Sequence, residues 1–420
     1  MSILEEDASD QASEIPPEEG IKGWLCVTGS FFCIFCTFGL LSASGVFQTV
    51  YQQGILHDYS PSTISLIFSV QLSLMWVSGP LVTRLLDAYG AAAVLIPCAA
   101  LHIVGLATTS LATQYYQLFL AQGLAFGIGS GGIFTTALVC VGQWFVRRRG
   151  LAVGIASAGS SLGGVIFPIF FVRLSAKIGL PGALRYAALL NGILLSISCP
   201  MVKSRLPRRK WNPKAKWIDL SLLKQKDFAF YTLGAFLTMW GLWGPLNFAS
   251  SMALHSGFPP DLALYLVSIL NSSMVPGRVI PSHVADRYGH FRVITACSLL
   301  TAISILALWL PFNYHPIRAG IIVFVLVYGF VSGAVISLLL PCAAKAGNLE
   351  TMGQRFGTFQ VAIGLSCLSG LPIMGAILEA EHNANYLGVQ LFSGLSCLLG
   401  GLLLAESTRL FSKKSLKSNV

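Results

Sequence analysis

The chain has 420 residues, of which 54% are hydrophobic and only 10% are charged. Because an average soluble domain has about 25% charged residues, this composition excludes an ordinary soluble fold and indicates that most side chains contact lipid or neighbouring helices. The net charge of +10 would suit nucleic-acid binding, but the distribution of the basic residues along the chain argues against that partner.

The N-terminal segment is acidic and polar. Residues 1–20 contain seven acidic residues, no basic residue and the pair Pro16 and Pro17. A cleavable signal peptide begins with a basic region followed by an apolar one, so none is expected here. The composition predicts a disordered cytosolic tail over residues 1–20.

Twelve apolar stretches follow, each long enough to cross a bilayer. About 20 apolar residues with a rise of 1.5 Å per residue cover the roughly 30 Å of the hydrocarbon layer. The sequence therefore predicts an all-α membrane protein with 12 transmembrane helices. The predicted spans are residues 24–47, 62–83, 91–111, 115–142, 151–173, 183–202, 228–250, 261–284, 291–311, 317–341, 355–378 and 386–405.

The basic residues lie almost entirely on one side of these spans. With both termini in the cytosol, 22 of the 27 Lys and Arg residues are on the cytosolic side, and Arg278 falls within a span. This asymmetry follows the positive-inside rule and predicts an N-in, C-in topology. Basic loops of this kind attract anionic headgroups, so membrane lipids rather than nucleic acid are the expected partners.

The chain divides into two similar halves. A D-x-Y-G sequence begins at Asp87 after the second span and at Asp286 after the eighth. Related sequences in matching positions of two halves are typical of transporters built from parallel repeats. The predicted domains are the tail 1–20, an N-terminal six-helix bundle 21–203, a basic cytosolic linker 204–226, a C-terminal six-helix bundle 227–406 and a basic cytosolic tail 407–420.

Three stretches resemble motifs of a known transporter family. The D-x-Y-G turns resemble the signature loop of the major facilitator superfamily, G-x3-D-R/K-x-G-R-R/K, and the copy at Asp286 matches better than the copy at Asp87. Residues 19–24 and 144–160 are similar to the motifs that open the first and fifth helices in its monocarboxylate-porter family, [D/E]-G-G-W-G-W and Y-F-x-K-R-R-x-L-A-x-G-x-A-x-A-G-S. By this resemblance the chain is identified as a fungal-type member, which implies the major facilitator fold and alternating access.

The resemblance also implies a gate at the cytosolic ends of the helices. In the superfamily the aspartate of the signature loop pairs with basic groups at helix ends and stabilises one conformational state. The resemblance extends that gating role to the matching loops and the basic residues near them. These residues are Asp87, Arg84, Asp286, Arg287, Arg147, Arg148 and Arg149.

The chain departs from the proton-coupled animal members of that family at two positions. Those members have a lysine where this chain has Ser42 and an aspartate where it has Met274, whereas their eighth-helix arginine is kept as Arg278. No Asp or Glu lies inside a predicted span, so His102 and His283 are the remaining candidates for proton coupling. Proton symport is therefore implied by the family but not supported by these residues.

A buried charge marks the expected solute site. Arg278 is the one basic residue predicted deep within a span, away from its ends, where a guanidinium can bind a carboxylate through two parallel hydrogen bonds. The first and seventh helices, which usually face the centre of this fold, and the eighth add polar and aromatic side chains. The predicted substrate-binding or gating residues are Arg278, Asn271, Ser42, Trp240, Trp243 and Asn247.

These features predict a secondary-active or facilitative transporter of a small organic solute, with no cofactor. The sequence lacks an ATP-binding P-loop, and the spans lack the side-chain clusters that an embedded enzyme or metal site requires. A monocarboxylate-like organic acid is the expected solute. Export of a hydrophobic fungal metabolite, vitamin uptake and a non-transporting sensor are the alternatives. The plasma membrane is favoured over the vacuolar membrane, and a monomer is the working expectation.

Overall fold

The computed structural model describes residues 20–208, 217–346, 352–381 and 385–418. Within these ranges the backbone is helical, with short π and 3₁₀ turns and no strand. The predicted N-terminal tail lies outside the described residues except for Gly20, and so does the middle of the predicted linker. The all-α prediction is therefore confirmed for the described part of the chain.

The first half of the chain forms helices that pack side by side. A π-helical turn at Phe35–Gly39 continues α1, and another at Phe119–Phe126 joins α6 to α7. Gly179 has φ 74° and ψ 163°, so it breaks α8 into two helices. The helices are α1 (Ile21–Ile34), α2 (Ser44–Gln53), α3 (Pro61–Val77), α4 (Gly79–Tyr89), α5 (Ala91–Thr109), α6 (Tyr115–Leu118), α7 (Gly127–Trp144) and α8 (Arg149–Ser198).

The second half repeats this pattern of long helices with short connections. A 3₁₀ turn at Leu220–Lys224 precedes this half. After α11 the helical stretch continues through a π turn at Ile305–Trp309 and ends with a 3₁₀ turn at Leu310–Asn313. The last helix continues well beyond residue 405, where its predicted span ends. The helices are α9 (Lys226–His255), α10 (Pro260–Tyr288), α11 (His290–Ser304), α12 (Arg318–Lys345), α13 (Met352–Ala380) and α14 (Leu387–Ser418).

Nine helical stretches in the described ranges are long and apolar enough to cross a membrane. The stretch Arg149–Ser198 counts once among them, although Gly179 divides it, and α9 and α10 are not among the nine. Both of these helices line the central cavity, so they carry polar residues on one face. The membrane-protein class is supported, while the count of twelve spans and their orientation stay predictions.

The two halves meet along two pairs of helices, α8 with α10, and α3–α4 with α13. Glycines allow the backbones to approach closely, as small residues do in membrane helix pairs. A Cβ atom added to Gly154 would lie 2.5 Å from the Arg278 carbonyl oxygen, and one added to Gly163 would lie 2.6 Å from the Gly39 Cα. Helix α8 therefore contacts α10 on one face and the α1 stretch on another.

Basic side chains gather at one end of the bundle, called here the basic end. It contains the turns after α4 and α10 and the segment between α7 and α8. By the positive-inside prediction it faces the cytosol. Its basic residues include Arg84, Arg147–Arg149, Arg287 and Lys345.

Candidate solute-binding cavity and gate

A cavity of about 70 Å³ lies between the two halves. Helices α3, α7 and α8 of the first half and α9, α10, α12 and α13 of the second contribute to its wall. Pockets that hold organic ligands usually measure roughly 300–1,000 Å³. In this conformation the cavity is therefore smaller than one that holds an organic ligand, and such a solute needs more room than its walls now leave.

Five of the six predicted substrate-site residues line this cavity. They are Ser42, Trp243, Asn247, Asn271 and Arg278.

Trp240 is not among the lining residues. Its indole N–H donates to the Ser369 hydroxyl at 3.0 Å, and its ring packs against Phe392 with centroids 4.9 Å apart. Helix α13 covers it closely, because a Cβ on Gly370 would lie 3.0 Å from the Trp240 carbonyl oxygen. Trp240 therefore packs between helices, although it precedes Trp243 by one helical turn.

Arg278 is buried with little compensation for its charge. Its side chain is 7% exposed. Among the described residues its hydrogen bonding is limited to one bond, from Nη1 to the Ser157 carbonyl oxygen at 3.3 Å, and its Nε–H has no acceptor. No described carboxylate forms an ion pair with it. An arginine at the centre of a span costs about 2.5–3.5 kcal/mol, so this guanidinium favours an incoming anion.

Three other polar side chains of the cavity donate to carbonyl oxygens of their own segment. Asn271 donates to the Val267 carbonyl at 2.9 Å, and Asn247 donates to the Trp243 carbonyl at 2.9 Å. The Ser42 hydroxyl donates to the carbonyl four residues earlier at 3.3 Å. These bonds within a helix replace water as the donor's partner. Arg278 is thus the lining side chain with the greatest demand for a ligand.

Aromatic side chains form part of the cavity wall. Phe38, Trp76 and Phe134 all line the cavity. The ring centroids of Phe38 and Phe134 are 4.7 Å apart, and those of Trp76 and Phe134 are 5.2 Å apart, both in edge-to-face geometry. Fixed aromatic faces of this kind suit a flat apolar body. The cavity therefore combines one cationic site with a rigid apolar wall.

The basic end is closed by a carboxylate that joins the halves. Asp286, at the end of α10, accepts the backbone N–H of Gly150 at 2.7 Å and that of Leu151 at 2.9 Å. These N–H groups belong to the first turn of α8, where no carbonyl of the helix can reach them. A carboxylate at a helix N-terminus also interacts favourably with the helix dipole. Asp286 therefore holds α10 against α8.

Two further side chains support this carboxylate. His290 Nε2 lies 3.3 Å from Asp286, and Lys345 donates to His290 Nδ1 at 3.0 Å. Because an ammonium group only donates, Nδ1 is the accepting nitrogen and the imidazole proton lies on Nε2, towards Asp286. Burial alone raises the pKa of the Asp286 carboxyl, but the bonds from His290, Leu151 and Gly150 outweigh burial and lower that pKa below its ordinary value.

The sequence and the fold resemble known transporters. The Major Facilitator Superfamily profile matches residues 30–371. The chain belongs to the major facilitator superfamily. This superfamily member is 39% identical to the MFS-type transporter hasB of Aspergillus fumigatus, in an alignment that covers 92% of this chain and 89% of that protein. It is 34% identical to the fujikurins efflux protein of Gibberella fujikuroi, over 99% of this chain and 89% of that protein.

A further relative and a solved structure agree with this assignment. The aspyridones efflux protein apdF of Emericella nidulans is 33% identical, over 96% of this chain and 83% of that protein. The human organic anion transporter MFSD10 superposes with a TM-score of 0.70 at 18% identity, over 93% of this chain and all of that one, and so shares the fold. This major facilitator protein is therefore a membrane transporter, and its family and relatives point to transport rather than enzymatic chemistry.

The first-half turn of this major facilitator protein contacts the linker. Asp87 lines a second cavity, of about 330 Å³, together with Lys203 and Arg208. The Arg84 guanidinium lies over the Trp217 ring, 5.4 Å from its centroid. The two predicted gating loops therefore meet different parts of the chain.

The hydrogen-bond partners of Asp286 described above do not include the side chains of the basic run Arg147–Arg149. Arg149 donates its Nε–H to the Phe145 carbonyl at 3.1 Å, while Arg147, Arg148 and Arg287 are exposed. The backbone of α8 bonds the carboxylate directly. The basic run thus adds positive charge near Asp286, whose hydrogen bonds come from the peptide N–H groups of α8.

The two histidines lie away from the cavity lining. His102 is fully buried, with Nδ1 2.9 Å from the Ser130 hydroxyl and Nε2 3.1 Å from the Asn191 amide nitrogen. Asn191 also contacts the Cys36 carbonyl in the π turn at 3.5 Å. His283 is half-buried on α10. His102 thus links three helices of the first half, and neither side chain lines the cavity.

Several residues of the site were missed by sequence reasoning. His290 occupies the position where the signature loop has a base, and that signal could have found it. Trp76, Phe38 and Phe134 carried no usable signal, because aromatic residues in a span more often face lipid or other helices.

Proposed function

We propose that this transporter exports a hydrophobic organic acid by alternating access. Arg278 binds the acid group, and the aromatic wall of Phe38, Trp76 and Phe134 binds the apolar body. The observation that carries the proposal is the buried guanidinium, which is paired with no described carboxylate and lies among apolar residues. A cation in this position discriminates strongly in favour of an anionic solute.

The lining favours a large apolar acid over a short one. The positions at which proton-coupled monocarboxylate porters have a lysine and an aspartate are Ser42 and Met274, and both line the cavity. A small hydrophilic acid would leave the aromatic wall without contacts, whereas a flat apolar acid would bury it. The resemblance to the monocarboxylate-porter family thus fits the acid group, and the lining argues for a lipophilic remainder.

The relatives support the export direction. Two of them carry the names fujikurins efflux protein and aspyridones efflux protein, and each aligns with nearly the whole of this chain. We extend the export direction to this chain, but we do not extend to it the particular solutes in its relatives' names. The plasma membrane is the location that export requires, and a monomer of two six-helix bundles in an N-in, C-in topology accounts for the transport cycle.

The gate residues suggest how the cycle proceeds. With the basic end in the cytosol, the Asp286 contact to Gly150 and Leu151 closes the cytosolic side. Arg278 precedes Asp286 by eight residues on α10, about 12 Å along the helix axis. Rocking of one half against the other separates Asp286 from α8 and admits the solute from the cytosol. We place proton coupling outside the proposal, because His102 and His283 do not line the cavity.

The test is solute flux into proteoliposomes that contain the purified full-length transporter. Labelled acetate, anthracene-2-carboxylate and the neutral anthracene-2-carboxamide are compared, with and without a pH gradient. We expect saturable flux of anthracene-2-carboxylate, at least about tenfold above that of the amide, because only the acid provides the charge-assisted bonds.

Variants separate the role of Arg278 from general damage. Arg278→Ala is expected to abolish the flux of the acid, and Arg278→Lys to retain part of it. The matched control is Arg318→Ala, at an exposed arginine 6.0 Å from the Phe258 ring at the start of α12. Flux of the amide equal to that of the acid, or acid flux that survives Arg278→Ala, would contradict the proposal.

A further inference from the structure

A buried indole in the cavity wall has no hydrogen-bond partner. Trp76 is 1% exposed, and its Nε1–H has no acceptor within hydrogen-bond distance. A buried donor left without a partner costs about 1–3 kcal/mol, and such groups are uncommon in native proteins. The packing of Trp76 is otherwise complete, with Phe38 and Phe134 against its ring. The N–H of Trp76 in the cavity wall is therefore available to an acceptor on a ligand.

The indole N–H of Trp76 can be compared with those of two other tryptophans, Trp309 and Trp243. Trp309 also has a buried unpartnered N–H, but its ring stacks on Phe324 at 5.6 Å and it does not line the cavity. Trp243 also lines the cavity and also has a buried Nε1–H without a hydrogen-bond partner, but its indole lies beside the Cys367 thiol, a weak acceptor. Trp76 thus differs from Trp309 by its place in the cavity wall and from Trp243 in that no thiol contact is described for its N–H.

We infer that Trp76 is a specificity-determining residue whose indole N–H binds an acceptor oxygen on the apolar body of the solute. The inference rests on the proposed function and narrows its substrate class. The preferred solute is a flat hydrophobic acid that carries a carbonyl or similar oxygen on its ring system, separate from the acid group. Arg278 binds the acid group, and Trp76 donates a hydrogen bond to this second oxygen.

The two contacts together define an orientation for the solute. Arg278 projects from α10 in the second half, and Trp76 belongs to α3 in the first half. A solute held at both points therefore connects the halves across the cavity. Such a bridge forms only while the walls stand close to the solute, so it favours the closed state of the loaded transporter over its open states.

The test uses two acids that share one tricyclic framework. Anthraquinone-2-carboxylate has two ring carbonyl oxygens, and anthracene-2-carboxylate has none. Binding to the purified full-length transporter is measured by competition against tritiated anthracene-2-carboxylate. The wild type is expected to bind the quinone acid about fivefold to tenfold more tightly, as one additional hydrogen bond provides.

The variant Trp76→Phe keeps an aromatic ring and removes the N–H. We expect the preference for the quinone acid to fall to about onefold, whatever effect the smaller ring has on the binding of anthracene-2-carboxylate itself. Because the preference is a ratio within one preparation, it does not depend on the yield or on the fraction of folded protein. The control Trp309→Phe removes a buried unpartnered N–H outside the cavity and is expected to keep the preference.

The outcomes separate this inference from the proposed function. A wild-type preference near onefold, or a preference that persists in Trp76→Phe, overturns the inference while Arg278-dependent binding of both acids leaves the proposed function standing. Failure of the wild type to bind either acid overturns both. Loss of the preference in Trp309→Phe as well would also overturn the inference, because the effect would then follow from removal of any buried indole N–H.

Discussion

The turn after α4 and the turn after α10 have the same local structure but different partners. Each has the sequence D-x-Y-G, and each glycine has a positive φ, 86° at Gly90 and 99° at Gly289. In both turns the glycine N–H bonds to the carbonyl four residues earlier, at 2.9 Å and 3.0 Å. Yet Asp286 bonds the N-terminus of α8, whereas Asp87 lines a cavity together with Lys203 and the linker residue Arg208.

This difference shows that the turn motif fixes the backbone but does not by itself make an interdomain contact. The residues that follow each turn differ, with alanines at 91–93 and His290-Phe291-Arg292 after the second. His290 and Lys345 complete the surroundings of Asp286 in the second half. Among the contacts described above, the bond that joins the two halves comes from the second-half turn, and the candidate gate is asymmetric in that sense.

The largest expected effect comes from neutralising the second-half carboxylate. Asp286→Asn replaces one acceptor oxygen by an NH₂ donor, so one of the hydrogen bonds from Gly150 and Leu151 is lost and the other loses its charge assistance. We expect the free energy of unfolding to fall by about 1–3 kcal/mol and solute flux to fall about tenfold. Thermal unfolding in detergent and proteoliposome flux measure the two effects.

Asp87→Asn is the matched variant in the first half. Because Asp87 shares its cavity with the exposed cations Lys203 and Arg208, whose charges water screens, we expect a loss of about 0.5–1 kcal/mol. Equal losses from the two variants would show that the turns work alike, contrary to the asymmetric gate.

A change of pH sharpens the same comparison. The folded pKa of Asp286 lies below its ordinary value of 3.8. A depressed carboxyl pKa stabilises the folded state above the unfolded pKa, and this contribution is lost as the pH falls through the folded value. The difference in melting temperature between wild type and Asp286→Asn should stay constant from about pH 7 to 5 and shrink below about pH 4. A difference that grows on acidification would contradict this sign.

The glycines should behave alike, because their backbone conformations are alike. Gly90→Ala and Gly289→Ala each force a side chain into a positive-φ conformation that costs roughly 1–3 kcal/mol. A Cβ on Gly289 would meet no atom within 4 Å, and one on Gly90 would meet only the flexible Arg208 side chain at 3.2 Å. We expect equal decreases in the melting temperature. A much larger effect at one glycine would show that the turns differ in backbone as well.

The smallest expected effect concerns the contact between α4 and the linker. Arg84→Gln removes a guanidinium that lies 5.4 Å from the Trp217 ring centroid. Cation–π contacts near the surface contribute about 0.5–1 kcal/mol, so loss of this contact by itself should lower the melting temperature by a few degrees. Arg318→Gln, at the comparable contact with Phe258, serves as the control. A loss as large as that of Asp286→Asn would make the first-half turn an equal part of the gate.

Much of the fold could be predicted because lipid imposes simple rules. Long apolar stretches become helices, and both D-x-Y-G turns lie where the sequence placed them. Arg278 could be found for the same reason, since a charge within a span is costly and stands out. The lengths of the helices were less predictable, and α14 extends to Ser418 because polar residues also form helix beyond the hydrocarbon layer.

The partners of site residues could not be predicted, because they depend on tertiary packing. Lys345 and His290 are 55 residues apart and meet at the basic end. Trp240 and Trp243 are three residues apart, yet only Trp243 lines the cavity, because α13 covers the other. Trp76 resembled any lipid-facing or packed tryptophan until its neighbours were known. Sequence spacing identifies a helical face, and neighbouring helices decide which part of that face meets the cavity.

The most direct test of this account is the dependence of binding on the charge of the solute. Equilibrium binding of anthracene-2-carboxylate and anthracene-2-carboxamide is measured for the wild type and for Arg278→Gln, which keeps a polar side chain without the charge. We predict that the wild type binds the acid at least about tenfold more tightly than the amide and that Arg278→Gln binds both alike. Equal binding of acid and amide by the wild type, or an unchanged preference in Arg278→Gln, would contradict the assignment of Arg278 as the anion site.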